Sequence, residues 1–240
     1  MKNLLVFISP EKKFNPECDL LAKIQVDNAL SLGQKDDFLL VTNFPYEYNG
    51  VNSIVVGDET FYAKRPRSIK TMIVPHLMDL GLIEKGEIYW NHDFDAYQSE
   101  PIEDKELEME TADAGFTDYG WRTRWCLGSV FFKDSSRDVF QWIKDYIDET
   151  TEEDETALTF LTEGNINGIN ERIKKLNITY QIGMRRVDSN YERATKPLKI
   201  LHFHPHKPGL LDIFMYGKNR TGIPMMSERL IEIFNKHNVK

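Results

Sequence analysis

Leu4-Leu5-Val6-Phe7-Ile8 is an unbroken apolar run stopped by Ser9-Pro10, the pattern of a strand buried on both faces. Such a strand needs covering layers above and below, and the following segments supply them. Residues 17–32 carry Leu20, Leu21, Ile24, Val26, Ala29, Leu30 and Leu32 at mostly helical spacing, ended by Gly33. Phe38 to Thr42 is a second buried strand closed by Asn43 and Pro45, and Val51 to Val56 a shorter third ending at Gly57-Asp58. A helix is predicted over 68–80, kinked or split by Pro75. Glu87 to Trp90 then resumes strand character and runs into Asn91-His92-Asp93-Phe94-Asp95. This repetition predicts an α/β fold: a Rossmann-like, mostly parallel central sheet with right-handed crossovers, flanked by helices. Ligands in such sheets bind beyond the carboxyl ends of the strands, where Asp93 and Asp95 fall.

The second half follows a different pattern. Residues 99–120 are polar and acidic, with Gly115 and Gly120, and predict a mobile connection over the site. Ser129 to Phe132 reads as a strand, 135–149 as an amphipathic helix and 153–162 as another helix stopped by Gly164. Residues 178–184 and 198–203 read as late strands and 226–236 as a closing helix. No repeat, low-complexity run or linker divides the 240 residues, so a single domain over 1–240 is expected.

A net charge of −8 opposes sequence-independent binding to nucleic acid, which needs Lys and Arg to displace counterions. The segment 63–70 (AKRPRSIK) is a local basic exception that suits one nucleotide diphosphate. Cys18 and Cys126 lie far apart without metal-ligand spacing, as expected of two buried thiols in a reducing cytoplasm. The opening MKNLLVFISP is too short for a membrane span and lacks the h-region and cleavage site of a signal peptide. No transmembrane segment is expected.

Three stretches carry chemistry. In Asp93-Phe94-Asp95, alternation places both carboxylates on one face of an extended segment, about 7 Å apart. That lets one or both reach a single hard cation such as Mg²⁺ or Mn²⁺, which shares its shell with substrate phosphates. A solvated turn at a strand end has the same sequence, so context must decide. Three of the six histidines lie in Leu201-His202-Phe203-His204-Pro205-His206-Lys207-Pro208. Neutral imidazole ligates Mn²⁺ or Zn²⁺, and Lys207 offers charge to a phosphate leaving group. Glu152-Glu153-Asp154-Glu155-Thr156-Ala157-Leu158 is an acidic helix start. The helix dipole alone favours it, but Asp154 or Glu155 could also meet an acceptor hydroxyl.

In this order the three pieces resemble the GT-A glycosyltransferases, in particular the glycogenin and bacterial galactosyltransferase-like branch. There a strand ends in D-x-D, and a strand of the form N-[ST]-G-x-[FLM] follows, comparable with Leu127-Gly128-Ser129-Val130-Phe131. A helix opening D-Q-x-x-[LF] compares with Asp154-Glu155-Thr156-Ala157-Leu158. A late H-[FY]-x-G-x-x-K-P-W compares with His202-Phe203 and Lys207-Pro208. Here Pro205 replaces the glycine, Gly209 the tryptophan, and the spacing is one residue shorter, so His204 rivals His202.

The resemblance implies a GT-A-like domain with nucleotide-sugar binding over about 1–98 and an acceptor side with the metal-closing segment over about 99–240. It implies Asp93, Asp95 and His202 as ligands of Mn²⁺ or Mg²⁺, Lys207 on the diphosphate, and Ser9 in the loop that meets base and ribose. Lys64 and Arg67 (with Lys70 nearby) fall where some related enzymes hold the donor, and Tyr97-Gln98 could touch the donor sugar. Asp154 or Glu155 would be the catalytic carboxylate.

The expected reaction is metal-dependent, hexosyl-type transfer from a nucleoside diphosphate sugar, UDP-sugar favoured, to a glycan, lipid-linked or protein hydroxyl. The alternative is a non-catalytic nucleotide-sugar or carbohydrate-binding domain of the same fold. A D-x-D phosphatase fits less well, because its motif follows the first strand. A histidine-based metal hydrolase lacks the further ligands it would need.

Overall fold

In the computed structural model, which describes residues 1–57, 65–120, 125–183, 185–207 and 209–239, the first apolar run forms β1 (Lys2–Phe7), with strands on both sides. Its side chains alternate, Leu4 and Val6 entering one core layer and Leu5 the opposite one. α1 (Pro16–Ser31) packs Val26 and Ala29 with Leu5. Asn15 starts it by accepting from Cys18 N at 2.8 Å, and Pro16 sits in the first turn, where a missing N–H is tolerated. β2 (Phe38–Thr42) then pairs parallel with β1.

The expected third strand is broken. β3 (Glu47–Tyr48) and β4 (Val51–Asn52) make a hairpin around Asn49-Gly50, at φ 51° and 74°, the positive values such a two-residue turn demands. β5 (Ile54–Val55) continues beside β2. Pro75 does split its helix. A 3₁₀ turn (Pro66–Ser68) leads into α2 (Ile69–Met72), and α3 (Val74–Asp79) restarts with Pro75 in its first turn. β6 (Tyr89–His92) runs parallel to β1, and β7 (Ala96–Gln98) follows it.

Residues 99–120 are not a mobile connection. A 3₁₀ turn (Asp104–Leu107) precedes β8 (Ala114–Asp118), every residue of which is buried. Ile102, Leu107, Met109 and Phe116 are buried between acidic neighbours that mask them in the sequence. Gly115 lies within this strand, where an added Cβ would fall 2.8 Å from Leu176 Cδ1. β9 (Trp125–Phe132) runs antiparallel to both β8 and β6.

α4 (Arg137–Thr150) and α5 (Asp154–Glu163) join α2 and α3 over the Leu4 face. β10 (Ile173–Lys175) pairs parallel with β8 at the far edge. Among the described residues the sheet order is β10-β8-β9-β6-β1-β2-β5, with four parallel and two antiparallel pairings.

The chain continues through a 3₁₀ turn (Ile178–Tyr180), β11 (Ile182–Gly183), α6 (Val187–Arg193), β12 (Ile200–His202), α7 (Leu210–Tyr216) and α8 (Glu228–Lys236). β11, β12 and β7 form a second, three-stranded sheet. No helix among the described residues is long and apolar enough to cross a membrane.

Candidate active site

β7 builds the site by changing sheets. After β6, Asp93 N donates to Gly128 O at 3.0 Å and Ala96 N to Asp93 O at 3.1 Å, a tight turn that aims the chain away from the central sheet. β7 then pairs antiparallel with β12, setting Ala96 opposite His202. His202 thereby meets Asp95 across 107 positions of sequence. Its Nε2 lies 3.0 Å from Asp95 Oδ1 and 3.5 Å from Asp93 Oδ2. One ligand atom from each of the three residues lies within 4.8 Å of the others.

Gly128 makes this approach possible. An added Cβ there would fall 2.2 Å from His202 Cε1 and 3.0 Å from Asp93 Oδ2. His92, next to the pair, is turned away. Its Nε2 lies 2.7 Å from Asn3 Oδ1, and burial pushes its pKa down to about 3, so it is a neutral packing residue.

Three carboxylates crowd two cationic groups. Lys70 from α2 forms an ion pair with Asp93, and Asn91 Nδ2 holds the backbone there by donating to Lys70 O at 2.9 Å. Burial works against the Lys70 charge, but the charges of Asp93 and Asp154 outweigh it and hold the pKa above its ordinary value. Burial likewise opposes charge on Asp95, yet the charge and hydrogen bond of His202 bring it down to about 2. His202 is desolvated too, and Asp95 still raises it well above the ordinary imidazole value. Asp154 is pushed up to about 6 by burial, opposed by Lys70 and by a 2.6 Å bond from Thr71 Oγ1. Two carboxylates and an imidazole in mutual reach form a donor set that fits Mn²⁺, or Mg²⁺ with the carboxylates leading.

Two clefts meet at Arg67, Lys70 and Asp93. One, of about 520 Å³, is walled by Tyr119, Leu127, Gly128, Glu153, Asp154 and Glu155. Inside it the Tyr119 hydroxyl donates to Glu155. The other, of about 430 Å³, is more apolar and runs along the end of β1, through Phe7, Ile8, Ser9 and Pro10, to Phe94. Asn43 fixes that loop, accepting from Ser9 N at 2.9 Å and donating to Ser9 O at 2.8 Å.

Of the residues singled out by sequence, Asp93, Asp95 and His202 converge, and Asp154, Glu155, Ser9 and Arg67 line the adjoining clefts. His204 instead turns toward α1 and lies 2.8 Å from Glu17 Oε1, outside the cluster. Gln98 lines neither of these clefts. It is fully buried in β7, its amide donating to Glu100 O at 3.2 Å. Tyr97 is equally buried. Lys207 is exposed in the turn after β12 and lines neither cleft; Lys70 is paired with Asp93 instead. Lys64, with Trp121 to Arg124, lies outside the described residues. Tyr119 and Asn43 were not foreseen, because an isolated tyrosine or asparagine carries no spacing signal.

A doubly wound sheet whose strand β6 leads into a carboxylate corner, closed by a small mixed sheet, defines a GT-A-like fold. No family model and no curated protein matches the sequence. Solved structures do match along its length. A glycosyltransferase involved in the glycosylation of the major capsid of PBCV-1 superposes with a TM-score of 0.55 at 11% identity, over 97% of this chain and 98% of that one. The galactosyltransferase LgtC, solved with donor and acceptor sugar analogs, gives 0.56 at 12% identity, over 98% and 96%. The glycosyltransferase GlyE of Streptococcus pneumoniae gives 0.56 at 12% identity, over 100% of this chain and 60% of its own. The chain has the fold of these enzymes.

Proposed function

We propose that this protein is a glycosyltransferase that moves a sugar from a nucleoside diphosphate sugar, UDP-sugar favoured, to a hydroxyl of a glycan, lipid-linked or protein acceptor. The observation that carries the reading is the meeting of Asp93, Asp95 and His202, from distant parts of the chain, where two clefts join. These three would hold Mn²⁺ or Mg²⁺, which when bound neutralises charge on the leaving diphosphate.

The chain's own groups supply the rest. The apolar cleft along Phe7 to Pro10 has the lining to take base and ribose, with Arg67 at the junction toward the phosphates. Lys70, held cationic by Asp93 and Asp154, adds a fixed positive charge beside the diphosphate. The polar cleft has room for the transferred sugar and the acceptor, with Glu155 and Tyr119 as hydrogen-bonding groups. Asp154, at about 6, has the basicity to accept the acceptor's hydroxyl proton near neutral pH.

Thermal unfolding with UDP, GDP, CDP and dTDP, each with and without Mn²⁺, tests the reading. Mass action predicts stabilisation of ~2.7 kcal/mol at a hundredfold excess over the dissociation constant. A shift given by one diphosphate with Mn²⁺, removed by EDTA and absent in Asp95→Ala, is expected. If none of the four shifts the transition with metal present, the reading fails.

A further inference from the structure

His202 has two ring nitrogens, and only Nε2 faces Asp93 and Asp95. A nitrogen that gives its lone pair to a cation leaves the ring proton on the other nitrogen. Nδ1 must then be an N–H donor, and in a buried place it needs an acceptor. Ligating histidines are usually oriented by such a partner.

The carboxamide of Gln181, the residue just before β11, lies at Nδ1, and the Cys126 thiol also reaches the His202 ring. Gln181 is 2% exposed, and its Oε1 is buried with no hydrogen-bond partner. Gln181 Nε2 is the end that now lies against Nδ1, and it also lies 3.1 Å from Cys126 Sγ. Gly128 crowds the same edge of the ring, since an added Cβ would fall 2.6 Å from Nδ1. A half-turn of the carboxamide exchanges its two ends and puts the orphaned oxygen where the ring proton needs an acceptor. The parallel pairing that sets Gly183 opposite His202, and Ile182 opposite Leu201, holds Gln181 at this edge.

We infer that Gln181 is a positioning residue for His202: its carboxamide oxygen accepts from Nδ1–H, fixes that tautomer, and leaves the Nε2 lone pair directed at the cation held with Asp93 and Asp95. The inference rests on the proposed function, because it concerns the same cation site.

Mn²⁺ alone is the probe, titrated into the full chain and followed by the electron paramagnetic resonance signal of the free ion. Gln181→Leu, which keeps the bulk but cannot accept, should weaken binding about 10- to 100-fold. Gln181→Glu, which can only accept when ionised, should bind within about threefold of wild type or more tightly, as carboxylate–histidine pairs do. Packing alone would reverse that order, since a buried carboxylate disturbs an apolar contact more than leucine does.

Long-range ¹⁵N–¹H correlations of His202 with Mg²⁺ give a second readout, which does not depend on either variant folding. Wild type should show a protonated Nδ1 and an unprotonated Nε2. Wild-type affinity in Gln181→Leu, or a proton on Nε2 in the Mg²⁺ form, would overturn the inference and leave the proposed function standing. Wild type binding Mn²⁺ no better than Asp95→Ala would instead remove the metal site itself, and this inference with it.

Discussion

Asp27 and Asp93 are both carboxylates drawn against a lysine within reach of a histidine, yet their surroundings balance differently. Asp27, on α1, accepts from Lys236 Nζ at 2.7 Å, from Asn49 Nδ2 at 2.8 Å and from Tyr48 OH at 3.4 Å, and lies 2.7 Å from His237 Nε2. One anion there has a surplus of donors, and the cluster ties α1 to the end of α8 and to the β3–β4 hairpin. At Asp93 the count reverses, with Asp93, Asp95 and Asp154 gathered on Lys70 and His202. A cluster with its anion fully satisfied is a clasp, since nothing is gained by adding charge. A cluster with surplus carboxylate, opening on two clefts, gains from a cation supplied from outside.

The largest effects should separate the two clusters by activity. Asp95→Ala is expected to lower kcat by roughly 10²- to 10³-fold or more, the range seen when one group stabilising transition-state charge is lost. Asp27→Ala should leave kcat within about twofold. Donor-sugar hydrolysis or transfer, measured on both variants, checks this, and comparable losses would erase the distinction. Gly128→Ala comes next. The new methyl must displace His202 or Asp93, and a shift approaching 1 Å in reacting groups costs about 10²-fold. Activity near wild type in that variant would mean the three ligands need not close together.

Stability should rank the clusters the other way. Asp27→Ala leaves the buried His237 side chain without its acceptor, while exposed Asn49 and Lys236 can turn to water, a loss of about 1–3 kcal/mol. Asp95→Ala should cost less than Asp27→Ala, because Asp93 still lies 3.5 Å from His202 Nε2 and keeps that ring beside a carboxylate. Urea denaturation of the two variants without divalent cations decides the order. A greater loss in Asp95→Ala would show that the open cluster is the stronger clasp.

The sequence showed one side of this contrast better than the other. Asp93 and Asp95 stood at the end of a strand that alternation made plain, and the predicted sheet has the parallel pairings expected of it. His202 and His204 could not be told apart, since both follow the same apolar run two residues apart. What separates them is β7: three residues, Ala96-Tyr97-Gln98, too few to show a period, whose pairing places His202 beside Asp95 and sends His204 on to Glu17. Gln98 lies on the same short strand, and its full burial there has no periodic signal in the sequence either. β8 was hidden by acidic neighbours around buried Leu107, Met109 and Phe116. The Asp27 clasp was invisible, because its partners lie at Asn49 and near the C-terminus with no shared motif. Short strands and long-range ion pairs are decided by tertiary packing, which local pattern does not encode.

The smallest effect lies in the pH dependence of the clasp. Burial opposes the charge on Asp27, but hydrogen bonds from Lys236, His237 and Asn49 outweigh it and lower the pKa below the ordinary value. A carboxyl depressed on folding contributes stability that is fully present above its unfolded pKa, about 3.9 for aspartate. That contribution is lost as pH falls through the lower folded value, because the unfolded chain binds the proton first. The part of the difference in unfolding free energy between wild type and Asp27→Asn that comes from the carboxylate charge should therefore shrink as pH falls below about 4. Urea midpoints taken at pH 7, 5, 4 and 3 measure it. A difference that stays level to pH 3 would mean that the carboxylate charge adds nothing beyond the hydrogen bonds asparagine can replace. The contrast between the clusters would then rest on geometry alone.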